Sequence, residues 1–515
     1  MQSVTSLTTA IANRVAAKND KGRSVRFASV MPDRSLRQPI QPMSGSLAGL
    51  FVLVASLSAW AQTAQEPKPR CTTKAPAFPS MSFDEDNRYL SSPDCRTEPL
   101  DRLKYIPVRR EHDDYYLSFG TDVRERGDYY SNNNWGTGSP GSAYLLQRYL
   151  VHADLHLGDR FRVFGELGSS LEEGRNGGPR PSIDKDKLDI HQAFIDVGLW
   201  GSGKDHLTLR TGRQEMAFGD QSFVSTRDGR NVRRSFDGFR LTGKFGDWTA
   251  DAFAVRQSTS KPGFFDDSLD HTTSFWGLYA VHPLRILPGG HVDLYYMGLD
   301  NKRVTYDKAT GREQRETAGA RVWGSAEHWD YNQEYTFQWG RFESNDIRAW
   351  AVATETGYRF ESLRFKPRIA IKADAYRGDH DRSGGTLGTF NALYERGPYF
   401  SYAELFGKRN LIALQPTLQL SLPRKITLTP NAAFYWREST EDGLYSPAAG
   451  AVVVSGGRSR ERFIGSHVAA QLKWSVDRHT TVFGEYLHFF PGNFLKQSTP
   501  GRNINYATWW IEYRF

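Results

Sequence analysis

The chain has 515 residues and a mean hydropathy of −0.58, long enough for several soluble domains and too polar on average for a bundle of membrane helices. Its formal charge of +8 is concentrated at the front, where seven basic and two acidic residues lie within positions 1–61. The remainder carries only about +3, which gives a nucleic-acid partner no support.

Residues 47–61 (LAGLFVLVASLSAWA) form the one long apolar run. It has the length of a signal-peptide core and ends in Ala59-Trp60-Ala61, the small-x-small pattern of a cleavage site. Residues 1–61 therefore read as a secretion signal cut after Ala61, with Met31 as a later start that puts Arg34 and Arg37 ahead of the core. Residues 62–112 are rich in Pro, Asp and Arg and follow no period. They read as an N-terminal extension, either periplasmic or folded as a plug into a barrel mouth. Cys71 and Cys95 are the two cysteines, and in an exported chain they are expected to form a disulfide.

From residue 113 to the end, stretches of alternating polar and apolar residues recur between Gly, Asn, Asp and Pro clusters. Leu117, Phe119, Thr121 and Val123 share one face, opposite Asp122, Arg124 and Arg126; Ile369, Ile371 and Ala373 oppose Arg368, Lys372 and Asp374. Alternation alone also fits a soluble sandwich, and three features decide against it. Aromatic residues make up 13% of the chain and gather at strand ends, as interfacial girdles require. Tight connectors such as Gly158-Asp159 alternate with long polar ones such as residues 438–460. The last strand puts Trp509, Ile511, Tyr513 and Phe515 on one face, the signal by which the barrel-assembly machinery recognises outer-membrane barrels. The fold expected is all-β: a transmembrane antiparallel up-and-down barrel of about 18 strands, allowing roughly 22 residues per strand and connector. It belongs in the outer membrane of a Gram-negative bacterium, surrounded by its lipid.

A barrel of this size has room for an aqueous lumen. Apolar faces must meet lipid, since Arg or Lys at mid-bilayer costs about 2–4 kcal/mol; the charged faces then turn inward. This assigns Arg124, Arg126, Arg148, Arg162, Arg210, Arg240, Arg368, Lys372 and Arg437 to the lumen, interleaved with acids that are able to pair with them. The run Arg227-Asp228-Gly229-Arg230-Asn231-Val232-Arg233-Arg234 is either a solvated loop or, folded inward, a cationic constriction built on Arg230, Arg233 and Arg234. Rings of basic residues select anions. His152 and His156 stand about 13 Å apart on a strand, too far to share a metal, and acidic stretches such as Phe265-Asp266-Asp267 lack the ligand spacing of a dedicated calcium site. No enzyme activity, cofactor or metal is expected.

Several segments, in order, carry a family likeness. LTLRTGRQEMAFG (residues 207–219), GRNVRRSFDGFRL (229–241), Gly397-Pro398-Tyr399-Phe400 through Pro416, and the ending from Val476-Asp477-Arg478-His479 to Tyr513-Arg514-Phe515 resemble the alginate export family of outer-membrane barrels. The resemblance implies an 18-stranded barrel with an arginine-rich lumen through which an anionic polysaccharide leaves the cell passively. It also implies that Arg213 is a lumen contact; strict alternation from Arg210 permits this only if the strand bulges or ends near Gly212. The chain departs from the alginate exporter where that protein has Arg before Glu-Phe: His191 and Gln192 stand here. The function expected is a passive channel for an anionic polysaccharide or a small anionic solute. The alternatives are a specific uptake porin for small organic acids or sugars, a structural or adhesive barrel, and a barrel-borne lipid hydrolase.

Overall fold

The computed structural model describes Cys71 and residues 75–109, 111–447 and 450–515. The signal segment and its cleavage point lie outside the described residues. Eighteen long strands follow one another around the wall: β1 (Tyr115–Ser131), β2 (Gly141–Leu157), β3 (Phe161–Glu173), β4 (Asp186–Ser202), β5 (Asp205–Gln214), β6 (Phe236–Phe245), β7 (Trp248–Thr259), β8 (Thr273–Pro283), β9 (Gly290–Thr305), β10 (Thr310–Ala326), β11 (Trp329–Phe342), β12 (Asn345–Arg359), β13 (Arg368–Tyr376), β14 (Leu411–Leu422), β15 (Ile426–Trp436), β16 (Phe463–Ser475), β17 (Thr480–Pro491) and β18 (Ile504–Arg514). Each pairs antiparallel with the next. The ring closes where β18 meets β1, from Asp122↔Arg514 to Tyr130↔Tyr506. Closure leaves no strand edge facing lipid, which is the condition for a β-structure to span a bilayer.

Burial follows the alternation. On β2, Val151 is 55% exposed while Arg148 and His152 on the opposite face are buried; on β13, Ile369 and Ile371 are exposed and Asp374 is buried. An apolar surface this extensive is far beyond what a soluble protein shows water, so the outward face is the lipid face. Aromatic pairs bracket it. Trp200 stacks on Phe245 and Trp329 meets Tyr358 near the short turns, whereas Trp339 and the pair Phe434 and Trp436 lie toward the loop end.

Short turns such as residues 158–160 and 246–247 join strands at one end, and long connectors such as 215–235, 377–410 and 437–462 join them at the other. Two of the long connectors run inward. Residues 222–227 and 229–236 are all buried, so the basic run is folded into the lumen and is no solvated loop. Residues 387–392 are buried as well, and the two connectors touch through a parallel bridge, Val224↔Tyr394.

The N-terminal extension occupies the mouth at the turn end. Phe83 packs edge-on against Phe164 and Phe194 of the inner wall, at 6.1 and 5.5 Å. Ser82 donates to Glu166 at 2.6 Å, and Arg162 and Arg514 donate to the carbonyls of Phe83 and Pro79. Cys71 and Cys95 are joined by a disulfide across 24 positions of sequence.

Candidate functional site

Alternation puts the wall arginines in the lumen, and the structure shows what they hold there. Arg124 donates to the carbonyls of Asp228 and Arg230 at 2.8 and 2.5 Å; Arg126 donates to that of Gly229 at 2.6 Å. Arg148, fully buried, ion-pairs with Asp228 at 2.9 Å. These three side chains from β1 and β2 grip the backbone of the inward basic loop, since a buried carbonyl left unpaired is costly. On the other side, Asn231 donates to the carbonyls of Gln147, Leu171 and Asp184.

Most remaining cations are neutralised locally. Arg162 pairs with Asp154 at 2.6 Å, Arg210 with Asp196 at 2.7 Å, Arg240 with Asp251 at 2.7 Å, and Arg368 with Asp330 and Glu355. Within the loop, Arg233 pairs with Glu215 at 2.5 Å and Asp228 at 3.0 Å, Arg230 pairs with Glu404, and Arg234 donates to the carbonyl of Tyr394 at 2.5 Å. Burial pushes the Glu215 carboxyl up, but Arg233 and His191 outweigh it and hold the group below its ordinary value. His191 lies 2.8 Å from Glu215, and Gln192 accepts from its backbone N–H. The residues that depart from the alginate exporter therefore fasten the root of the loop.

Two assignments are corrected. The β4–β5 register runs without a shift from Asp196↔Arg210 to Ala193↔Arg213, the nearest irregularity falling between Gly198 and Trp200. With no bulge near Gly212, Arg213 stands on the face opposite Arg210, paired with Asp237 at 2.9 Å, and is no lumen contact. Arg437 lies beyond the end of β15, where its guanidinium donates to the carbonyls of Thr440, Asp442, Gly456, Ser459 and Glu461. It staples residues 437–462 and does not line the pore.

The two inward loops divide the lumen. A cavity of about 520 Å³ lies below them and one of about 560 Å³ above, and both are lined by Gly229 and Tyr402. At this waist Gly229 abuts Pro398, and a Cβ there would run into the proline ring. Tyr394 N–H donates to Phe223, Arg396 N–H to Gln221 and Lys408 Nζ to Ser222, tying one loop to the other.

The lower cavity has a distinct wall. Lys372 of β13, Arg396 and Arg514 present cations and Asp228 and Glu355 carboxylates; Tyr399 and Phe400 present rings; Gln415 and Asn431 present amides. Lys372 Nζ sits 4.1 Å from the Tyr399 ring centre and 3.8 Å from Glu355. Arg396 makes no ion pair among the described residues, and its Nε is buried without a hydrogen bond. Of these, only Lys372 was a candidate from alternation. Arg396 and Glu404 sit in an irregular loop where period-two reasoning is silent, although the Gly397-Pro398-Tyr399-Phe400 motif lies between them.

Fold and lumen together define a barrel of the outer-membrane channel class. The model of the alginate export family matches residues 115–509, and the chain belongs to that family. No curated protein matches the sequence. Solved structures sharing the fold include OpdO of Pseudomonas aeruginosa (10% identity, TM-score 0.52, 78% of this chain and 97% of the other covered). Others are a BenF-like porin from Pseudomonas fluorescens Pf-5 (11%, 0.52, 78% and 98%) and OccAB1 of Acinetobacter baumannii (12%, 0.52, 81% and 99%).

Proposed function

We propose that this barrel is a passive outer-membrane channel of a Gram-negative bacterium for small anionic solutes, with carboxylated monosaccharides and organic acids as the favoured class. The observation that carries this reading is the lower cavity. Its volume, about 520 Å³, falls in the range of small-molecule sites. Its wall combines the unpaired Arg396 guanidinium, and beside it the Lys372 ammonium shared with Glu355, for a carboxylate, amides for hydroxyls, and rings on which a sugar face can lie. Such contacts hold a solute weakly at several points, so that it enters and still leaves. No covalent step is needed.

Family membership favours a second reading, passage of an anionic polysaccharide such as alginate. A polymer needs a continuous lumen, so this reading requires the two inward loops and the N-terminal extension to move aside together.

The experiment is reconstitution of the mature protein in planar bilayers, with reversal potential measured under a salt gradient, followed by glucuronate and then alginate oligomers. Anion selectivity with block by glucuronate, weakened in Arg396→Gln, supports the small-solute channel. Block by oligomers alone supports the polymer reading. Cation selectivity overturns both.

A further inference from the structure

Two short wall strands, β5 and β6, leave a notch. β5 ends at Gln214 and β6 begins at Phe236 because the chain between them dives into the lumen, so β4 has a β5 partner only from Ala193 onward. Residues 186–192 of β4 would otherwise have no strand partner on that side. The β7–β8 connector fills the place: Lys187 N–H donates to Gly263, Phe265 N–H donates to Leu188, and Leu188 bridges Phe264 in parallel.

This patch brings together Asp186, Asp189 and Asp267, whose carboxylate oxygens lie within 4.8 Å of one another. Asp186 and Asp189 are 7% and 5% exposed. Asp189 accepts the N–H groups of Ile190 and Asp267, and Asp267 accepts that of Lys261. The Asp186 side chain has no hydrogen bond or ion pair among the described residues, and its Oδ1 is buried with nothing to satisfy it, while its carboxylate lies within the 4.8 Å cluster. The nearest cation, Arg213, is 3.7 Å from Asp189 and already committed to Asp237. Three clustered carboxylates beside one guanidinium that is shared with Asp237 are an unbalanced charge, and a buried, unpaired carboxylate oxygen is costly.

We propose that Asp186, Asp189 and Asp267 form a divalent-cation site of the calcium type that clamps the β7–β8 connector across the notch at the top of β4. Hard carboxylate oxygens suit such an ion, and calcium accepts an irregular shell completed by main-chain oxygens and water, whereas magnesium demands near-octahedral geometry. The clamp joins residues 81 positions apart in sequence at its widest (Asp186 and Asp267), which is why no spaced ligand motif announces it.

The test uses the folded mature barrel in detergent, stripped with EDTA and dialysed. CaCl2 is titrated by calorimetry, and chymotrypsin cleavage at the exposed Phe264 and Phe265 is followed with and without calcium. One bound ion and slower cleavage are expected, with affinity reduced about tenfold or more in both Asp186→Asn and Asp267→Asn. Heat-modified gel migration shows that each variant is folded. In EDTA, Asp186→Asn is expected to melt no lower than the parent, because it removes repulsion and no bond. Absence of binding by the parent, equal calcium binding in both variants, or protection by MgCl2 but not CaCl2 overturns the proposal.

Discussion

Substitution of Glu404 by alanine tests whether the two inward loops set the conductance. Arg230 and Glu404 are ion-paired with their side chains 7% and 3% exposed. Removing one partner of such a buried pair costs about 3–5 kcal/mol, because the other charge is left uncompensated. The remaining ties at the joint include hydrogen bonds from Tyr394 N–H to Phe223, Arg396 N–H to Gln221, Ser225 to Tyr394, and Arg234 and Lys408 to loop carbonyls, worth roughly 1–3 kcal/mol each. The loss is therefore a large share of what holds the joint. At 1.4 kcal/mol per tenfold, it shifts the undocked fraction by about two to three orders of magnitude. Undocking at Gly229 and Tyr402 merges the two cavities, so single-channel conductance in planar bilayers should rise in Glu404→Ala and rise less in Glu404→Gln. The swap Arg230→Glu with Glu404→Arg should move it back toward the parent. If Glu404→Ala, shown to be folded by its gel migration, conducts like the parent, the waist is not where these loops meet.

Acid should loosen the same region. Glu215 titrates below its ordinary value in the folded barrel because Arg233 and His191 outweigh burial, so its contribution is intact above the unfolded carboxylate value near 4 and is lost as pH falls through the folded one. Conductance or channel noise is expected to increase at pH 3 relative to pH 7, and the increase should be smaller in Glu215→Gln. Phe83→Ala removes a ring packed on Phe164 and Phe194 with Arg210 at 4.2 Å. Loss of such a ring costs about 3–5 kcal/mol, enough to release the extension, so limited proteolysis should cut residues 76–105 faster while the barrel stays intact. Reducing the Cys71–Cys95 bond, which closes a loop of 24 positions, should destabilise the extension by about 3 kcal/mol. Faster cleavage of the extension after thiol treatment, with unchanged barrel melting, is the expected readout.

The sequence by itself determined the wall. Alternation is a local property of the backbone, and in Val151 against Arg148 and His152, or Ile371 against Lys372, the side that meets lipid can be read from two or three neighbours. Strand number, closure and the outward row of Trp509, Ile511 and Tyr513 follow from the same period. What fills the lumen was decided only by the tertiary structure. Whether residues 227–234 are a loop or a constriction depends on Arg124, Arg126 and Arg148, carried by strands about a hundred positions away. The wall arginines, assigned to the lumen among acids able to pair with them, grip loop carbonyls as well as carboxylates, because a buried guanidinium takes whichever acceptor the folded chain supplies first. Arg213 and Arg437 were misplaced for a related reason: the register of a strand near its end, and the path of the chain beyond it, are set by contacts with other strands and loops. Arg396 and the Asp186, Asp189 and Asp267 cluster have no local signature, since irregular backbone has no period and ligands joined across a notch have no spacing.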